Sequence, residues 1–151
     1  MKMGLVSRVF LIFLFSSIVS CSQSNDGREE EGEKYVDYFN GKFNSRKISE
    51  IYENASEKLK VGVSKDDFVG SIEKIREILG ERVSTKKDKV FYLKDGDGVP
   101  LIVLTYNTRF TNGVGAESFL LELEDNRVSL HRYNINSDDL IRSLLLGEKK
   151  K

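Results

Sequence analysis

Few side chains of this sequence are suited to chemistry, and they are dispersed along the chain. Cys21 is the only cysteine and His131 the only histidine, so the chain lacks the four thiol or imidazole ligands of a structural zinc site. His131, Tyr106 and a neighbouring carboxylate could supply the base and donor of an isomerase or dehydratase. A lone strand histidine is more often hydrogen-bonded or partly exposed, and no nucleophile elbow, phosphate loop, dinucleotide fingerprint or zinc-protease motif is present. We therefore predict no enzymatic activity, no cofactor and no metal site.

Six polar residues are candidates to line a cavity inside the folded domain. Pairing of strands 101–110 and 127–135 would bring two of them, Tyr106 and His131, close together. Arg109 and Glu117 flank the turn "FTNGVGA", which favours a cross-strand ion pair over an anion clamp. The six candidates are Tyr92, Tyr106, Arg109, Glu117, His131 and Tyr133.

The single cysteine lies where an apolar run ends and a polar stretch begins. The chain opens with the basic segment "MKMGLVSR" and continues with "VFLIFLF". An apolar region of about ten residues is too short for a membrane-spanning helix, which needs about 20. It fits the hydrophobic region of a secretory signal peptide, which ends at small residues. We predict a signal peptide over residues 1–20.

The residues around Cys21 resemble the lipobox of bacterial lipoprotein precursors. Ile18, Val19 and Ser20 match its aliphatic and small positions before the cysteine. The resemblance implies that Cys21 receives a diacylglycerol thioether and fatty acyl chains such as palmitate, after cleavage before it. Ser22 in the next position implies delivery to the outer membrane, facing the periplasm, in a bacterium with two membranes. The alternatives for Cys21 are a buried core cysteine or an uncleaved anchor.

Composition limits the classes of partner. The chain has 151 residues, 39% of them hydrophobic, with 24 basic and 24 acidic side chains. A neutral chain offers no basic face for nucleic acid. The segment "SQSNDGREEEGE" has no aliphatic or aromatic residue, so we predict a flexible tether, with Cys21, over residues 21–33. Its acidic run predicts a solvated spacer.

From residue 34 the pattern becomes helical and later changes to that of strands. Apolar spacing predicts helices over residues 34–44, 45–59 and 64–79, the last capped by Ser64 and ended by Gly80. Four strands follow, at about residues 82–94, 99–110, 116–125 and 127–135, with turns at "KDGDG", "TNGVG" and Asp125-Asn126. A hairpin turn is a better interpretation of Asp95 and Asp97 than a calcium loop. A final short helix would dock through Leu140, Ile141, Leu144 and Leu145.

This order predicts an α+β fold in which N-terminal helices pack on a curved antiparallel meander of about four strands. The segments "VSKDDFVGSIEKIREILGERVS" and "VLTYNTRFTNGVGAESFLLELEDNRVSLHRYNIN" resemble the nuclear transport factor 2-like (cystatin-like) superfamily, and more narrowly a group of small, uncharacterised secreted bacterial proteins. The resemblance implies a cone-shaped domain over residues 34–146. Residues 147–151 form a basic tail.

The sequence does not identify a ligand. The leading hypothesis is a lipid-anchored protein of the bacterial cell envelope, whose domain binds a protein partner or a small ligand at the membrane surface. One alternative is an envelope enzyme or small-molecule carrier that uses the cone cavity. A second alternative is a structural domain that forms a homodimer through the outer sheet face. A deep, dry pocket with convergent polar groups would favour the enzyme or carrier, and a filled cone with an exposed apolar sheet would favour the homodimer.

Overall fold

The computed structural model describes residues 27–124 and 127–147, which form five helices and four strands. The helices and strands, in chain order, are α1 (Arg28–Asn44), α2 (Ile48–Glu53), α3 (Glu57–Gly62), α4 (Lys65–Leu79), β1 (Arg82–Lys94), β2 (Pro100–Phe110), β3 (Val114–Glu124), β4 (Arg127–Asn136) and α5 (Asp138–Leu146).

The four strands form one antiparallel sheet in the order β1-β2-β3-β4. The α+β class, with helices first and a meander after them, is therefore confirmed. β2 begins at Pro100, one residue after the predicted start, in a position where a missing backbone donor is tolerated. Register shifts occur in β1 after Arg82 and after Lys87, and in β4 around His131. Each such bulge bends the strand that contains it.

The predicted limits of α4 are confirmed by its capping contacts. The Ser64 hydroxyl accepts the backbone N–H of Asp67 at 3.2 Å and thereby satisfies one of the free donors of the first turn. Gly80 ends the helix with φ +81°, and a Cβ there would lie 1.8 Å from Thr111 Oγ1. Only glycine fits that backbone and that space.

The single helix predicted over residues 45–59 is wrong, because the chain forms two short helices there. α2 ends at Glu53, and Ser56 begins α3 by accepting the backbone N–H of Leu59. The Ser56 N–H donates to the carbonyl of Leu130 in β4 at 3.0 Å. The Ser56 N–H therefore bonds to the sheet and not to the carbonyl that it would reach in a continuous helix. Helix propensity alone does not predict which of these two bonds forms.

The predicted boundary at residue 34 is also wrong, because α1 begins at Arg28 and takes up the second half of the expected tether. Three glutamates in its first turn suit the positive end of the helix dipole. Lys34 forms ion pairs with Glu30 and Glu31 at 3.0 and 2.8 Å. Gly32 is buried, and a Cβ there would come within 2.9 Å of Leu104, so glycine allows the helix to approach the sheet. Residues 1–26, with Cys21 and its lipobox, lie outside the described residues.

The core lies between the helices and one face of the sheet. Alternate residues of β2 and β3 point to the helices, so that Ile102 and Leu104 meet Leu121 and Phe119. Two buried aromatic residues of α1, Phe39 and Phe43, complete this layer. Further aromatic residues of the helices belong to this core, with Tyr35 and Phe68 buried and Tyr38 and Tyr52 partly buried against them.

The final helix is confirmed, but its predicted docking is wrong for three of its four apolar residues. Only Leu140 is buried, whereas Ile141, Leu144 and Leu145 are 47%, 55% and 79% exposed. α5 lies beside the β2–β3 turn, because Asp139 Oδ2 accepts the N–H of Val114 at 3.3 Å. α5 has only nine residues and lies at the edge of the domain, so it meets too little surface to cover a second apolar row. Residues 148–151 of the basic tail lie outside the described part of the chain.

Two of the predicted turns are confirmed. The Asp95 carboxylate accepts the backbone N–H groups of Asp97 and Val99 and so shapes the β1–β2 turn. Phe110 N–H donates to the Gly113 carbonyl at 2.8 Å and closes the next turn. The turn at Asp125-Asn126 lies outside the described residues. Among the helices of residues 27–124 and 127–147, none has the length and apolar composition needed to span a membrane.

Candidate functional site

The sheet brings together three of the six candidate residues, Tyr106, Glu117 and Tyr133. Tyr133 OH donates to Glu117 Oε1 at 2.5 Å. Tyr106 lies opposite Glu117 in the β2–β3 register and is buried beside Phe119. The other three candidates lie apart from this group: Tyr92 is 47% exposed on β1, Arg109 is exposed on β2, and His131 lies in the bulge of β4.

Glu117 is held by a residue that was not among the candidates, Arg82. The guanidinium binds the carboxylate with both terminal nitrogens, Nη1 to Oε2 at 2.8 Å and Nη2 to Oε1. The side chains of Arg82 and Glu117 are 2% and 0% exposed. The Thr108 hydroxyl donates to the same carboxylate at 2.5 Å, and Arg82 Nη1 also donates to Asn40 Oδ1 at 2.7 Å. With these partners and Tyr133, the pair connects α1 with all four strands inside the core.

Four aromatic rings surround the guanidinium at 4.7–5.9 Å from their centroids and supply cation–π attraction in place of water. Burial first, and then the charge of Glu117, raise the pKa of Tyr133 well above its usual value. Its hydroxyl therefore stays protonated and can donate to the carboxylate. The interior of the domain around Glu117 is occupied by protein side chains. The four rings belong to Phe39, Phe43, Phe110 and Phe119.

The predicted ion pair between Arg109 and Glu117 is wrong. Glu117 lies opposite Tyr106 and Arg109 opposite Val114 in the β2–β3 register. Adjacent positions on a strand point to opposite faces, so Arg109 projects outward and Glu117 inward. The alternating pattern of β3 places the Glu117 carboxylate among inward apolar residues, and this could have predicted a buried cationic partner. Nothing in the sequence identifies Arg82 as that partner.

The predicted meeting of Tyr106 and His131 is also wrong, because β3 lies between β2 and β4. His131 instead contacts Glu122 of β3, with 2.5 Å between His131 Nδ1 and Glu122 Oε1. The two side chains are 18% and 6% exposed. A carboxylate in this position orients the imidazole ring. The contact does not involve Tyr106, so the proposed catalytic pair is not assembled.

A groove runs along the free edge of β4, between that strand and helices α3 and α4. It has a volume of about 530 Å³. Residues 131–135 of β4 form one wall, and apolar residues of the helices form the other. The ring of Tyr133 belongs both to this wall and to the buried Arg82–Glu117 cluster. The apolar residues that line the groove are Leu59, Val63, Phe68, Ile72, Ile75, Tyr133 and Ile135.

The groove has two features of a site for an extended chain, an unpaired strand edge and a polar rim. In the sheet of the described residues, β4 is an edge strand and pairs only with β3. Within the described residues, the backbone bond from Ser56 to Leu130 precedes the groove wall, and none is recorded from another segment to the free edge at 131–135. Polar groups lie at its rim, including Lys58, Ser71 and Asn134. Within the described residues no cluster of three His, Cys, Asp or Glu side chains could hold a metal ion.

The fold defines a small α+β domain with a buried ion pair and an apolar groove at a sheet edge. Residues 39–133 match the family described as "Protein of unknown function (DUF4019)". This match covers more than half of the 151 residues, so the chain belongs to that family. It includes Arg82, Glu117 and Tyr133, and it ends before α5 begins. No curated protein matches the sequence significantly.

Proposed function

We propose that this protein is a lipid-anchored component of the bacterial cell envelope, whose domain binds an extended apolar segment of a partner protein. The observation that carries the binding proposal is the apolar groove beside the unpaired edge of β4. The anchoring proposal rests on Ile18, Val19, Ser20 and Cys21.

The physics of acylation supports an anchor at Cys21. One acyl chain gives only marginal membrane binding, and each buried CH₂ adds about 0.8 kcal/mol, so two or three chains hold a protein firmly. The cysteine is placed shortly before the first described helix. An acylated Cys21 would keep the domain close to the membrane surface, where partners in the envelope are accessible.

The groove suits a peptide because it combines two kinds of contact. A strand added to β4 would form backbone hydrogen bonds with residues 131–135, and alternate side chains would enter the apolar groove. This mode of binding obtains affinity from the main chain and specificity from the pockets. A small rigid ligand would use the apolar wall but leave the free strand edge unpaired.

The interior of the fold favours this proposal over a carrier with an internal cavity. The region around Glu117 is occupied by Arg82 and its four aromatic neighbours. Tyr106 and His131, the pair on which the enzyme alternative depended, lie on strands that do not pair. A second copy of the chain could also use the β4 edge, so self-association is one outcome of the test below.

The anchor is tested by the intact mass of the membrane-extracted protein beside a Cys21→Ser variant. We expect the first protein to lack residues 1–20 and to carry acyl groups. The variant should lose both the added mass and its membrane association. An unmodified mass, or equal membrane association of the variant, would remove the anchoring proposal and leave the groove to be tested alone.

The groove is tested by photo-cross-linking in intact membranes, with benzoylphenylalanine at position 75. Ile75 lines the groove, whereas Asp66 is exposed elsewhere on α4 and provides the matched control position. We expect one adduct of defined mass at position 75 and none at position 66. Ser71→Arg should abolish it by filling the groove from an exposed position, and Asp66→Arg should not.

The adduct also separates the alternatives. An adduct of twice the protein mass would show self-association in place of a different partner. Adducts that persist in the Ser71→Arg variant, or that form equally at both positions, would contradict binding in the groove.

A further inference from the structure

Strand β1 exposes an unusual row of apolar side chains at the edge of the sheet. Phe91, Tyr92 and Leu93 are consecutive, and 48%, 47% and 51% of their surfaces are exposed. Phe91 and Leu93 lie on the outer side of this edge and Tyr92 on the side of the helices, because adjacent positions alternate. Among the described residues, β1 pairs only with β2, which leaves its other edge unpaired. Consecutive exposed apolar residues on an edge strand promote aggregation and are avoided unless they serve a function.

The same strand carries a high density of lysine. Lys86, Lys89 and Lys94 are exposed, and no carboxylate of the described residues forms a recorded ion pair with them. Asp88 is the only acidic residue of the strand. Lysines on an edge strand oppose pairing with a second β1, because like charges would meet across the two strands. This edge of β1 is therefore unsuited to pairing with a second copy of the chain and suited to contact with an anionic surface.

The start of α1 is attached to this row. Tyr92 OH donates to Glu29 Oε2 at 3.3 Å, and the Arg28 guanidinium lies 5.4 Å from the Tyr92 ring centroid. Lys87 forms an ion pair with Glu29 at 2.5 Å and a second one with Glu33. Hydrogen bonding to Lys87 lowers the pKa of the Glu29 carboxyl, so these contacts persist at neutral pH.

The covalent distance from Cys21 places β1 within reach of the membrane. Six residue steps separate Cys21 from Gly27, and a fully extended chain of that length spans at most about 22 Å. An acyl group on Cys21 must lie in the bilayer. The first turn of α1, and the part of β1 bound to it, are consequently held near the headgroups.

We propose that the β1 edge surface, defined as Lys86, Lys89, Phe91, Tyr92, Leu93 and Lys94, lies on the anionic phospholipid surface beside the anchor. This inference rests on the proposed anchoring at Cys21. The aromatic and aliphatic side chains enter the interfacial region, where amphipathic aromatic residues are favoured. The lysines lie among the phosphates, where basic residues are attracted to anionic lipid.

The contact fixes the orientation of the domain. Phe91 pairs with Val103, seven residues before Phe110 at the other end of β2, and seven residues of strand extend over about 23 Å. The exposed leucines of α5 lie at that other end, beside the β2–β3 turn. A domain that rests on its β1 edge near the anchor turns α5 away from the anchor point.

The chain contains no tryptophan, so a single introduced tryptophan reports on one position. We would place it at Phe91→Trp, with Leu144→Trp as the control, because Phe91 and Leu144 are 48% and 55% exposed. Each acylated protein is reconstituted into vesicles of phosphatidylcholine and phosphatidylglycerol with brominated acyl chains. We expect bromine quenching and a blue shift for Phe91→Trp only. Lys86→Glu with Lys89→Glu should reduce the quenching.

The intact mass of each preparation distinguishes the two proposals. Protein without acyl groups would overturn the anchor and, with it, this inference. Acylated protein with an unquenched tryptophan at position 91, or with equal quenching at positions 91 and 144, would overturn the β1 contact and leave the anchor in place. Equal quenching on vesicles of phosphatidylcholine alone would contradict the role of the lysines.

Discussion

At the scale of single residues, the dominant feature is a charged pair in a position where charges are costly. Removing a guanidinium and a carboxylate from water costs several kcal/mol for each ion, and this cost is offset only when every donor and acceptor has a good partner. The Glu117 carboxylate meets that condition with four donors from Arg82, Thr108 and Tyr133. Arg82 Nε is buried without a hydrogen-bond partner in the described structure. The pair therefore specifies the arrangement of α1, β1 and β3 more than it stabilises the fold.

We predict that Glu117→Gln lowers the free energy of unfolding by about 3–5 kcal/mol, because it leaves the Arg82 charge buried and uncompensated. The double variant Arg82→Met with Glu117→Leu should lose much less, since it removes both charges. Urea unfolding followed by circular dichroism measures both changes. Arg109→Ala, on the exposed side of β2, is the control and should change stability by less than about 0.5 kcal/mol. Equal losses in the single and double variants would contradict the role assigned to the charge.

At the scale of elements, the ends of helices and strands follow local signals except where the sheet intervenes. Ser64 and Gly80 limit α4 as their residue types indicate. The break between α2 and α3 instead depends on a backbone bond to β4, and the early start of α1 depends on its packing against Leu104 and its ion pairs with Lys87. α5 is well formed but attached to the domain through little more than Leu140.

For α5 we predict that Leu140→Ala costs about 2–5 kcal/mol of unfolding free energy, since it leaves a cavity between α5 and the domain. Leu145→Ala provides a matched change on the same helix, and Leu145 is 79% exposed. It should have an effect within about 0.5 kcal/mol. Thermal unfolding of the two variants compares them directly. A large loss in Leu145→Ala would indicate that the exposed row of α5 is covered by protein in solution.

At the scale of the whole molecule, buried phenols link stability to pH. Burial raises the pKa of Tyr106 to about 12, and burial with the charge of Glu117 raises the pKa of Tyr133 well above its usual value of 10. The folded protein therefore keeps these side chains neutral at a pH where the unfolded chain ionises them. Their contribution to stability is fully present below pH 10 and decreases as the pH rises toward 12.

Our third prediction is that the free energy of unfolding, measured in urea at a series of pH values, decreases between pH 10 and 12. Tyrosinate absorbance should develop together with the loss of circular dichroism, because the buried phenols titrate only when the fold opens. Tyr106→Phe should reduce the slope of stability against pH. If the absorbance rose fully while the fold remained intact, the buried phenols would be accessible and the prediction would be wrong.

The sequence determined the class of fold through local patterns. Helical spacing before residue 80, alternation after it, and turns marked by Asp95 and by Asn112-Gly113 indicated helices followed by a four-strand meander. Such signals act between neighbours in the chain, so they can be interpreted without coordinates. The same holds for the lipobox resemblance around Cys21, which stays a prediction.

The tertiary structure decided which distant residues meet. The strand order separated Tyr106 from His131, and the register turned Arg109 away from Glu117 and placed Arg82 beside it. The groove beside β4 formed from α3, α4 and an edge strand that are remote in sequence. One residue of register reverses the direction of every side chain on a strand. Contacts between strands are therefore fixed only when the whole sheet is assembled against its helices.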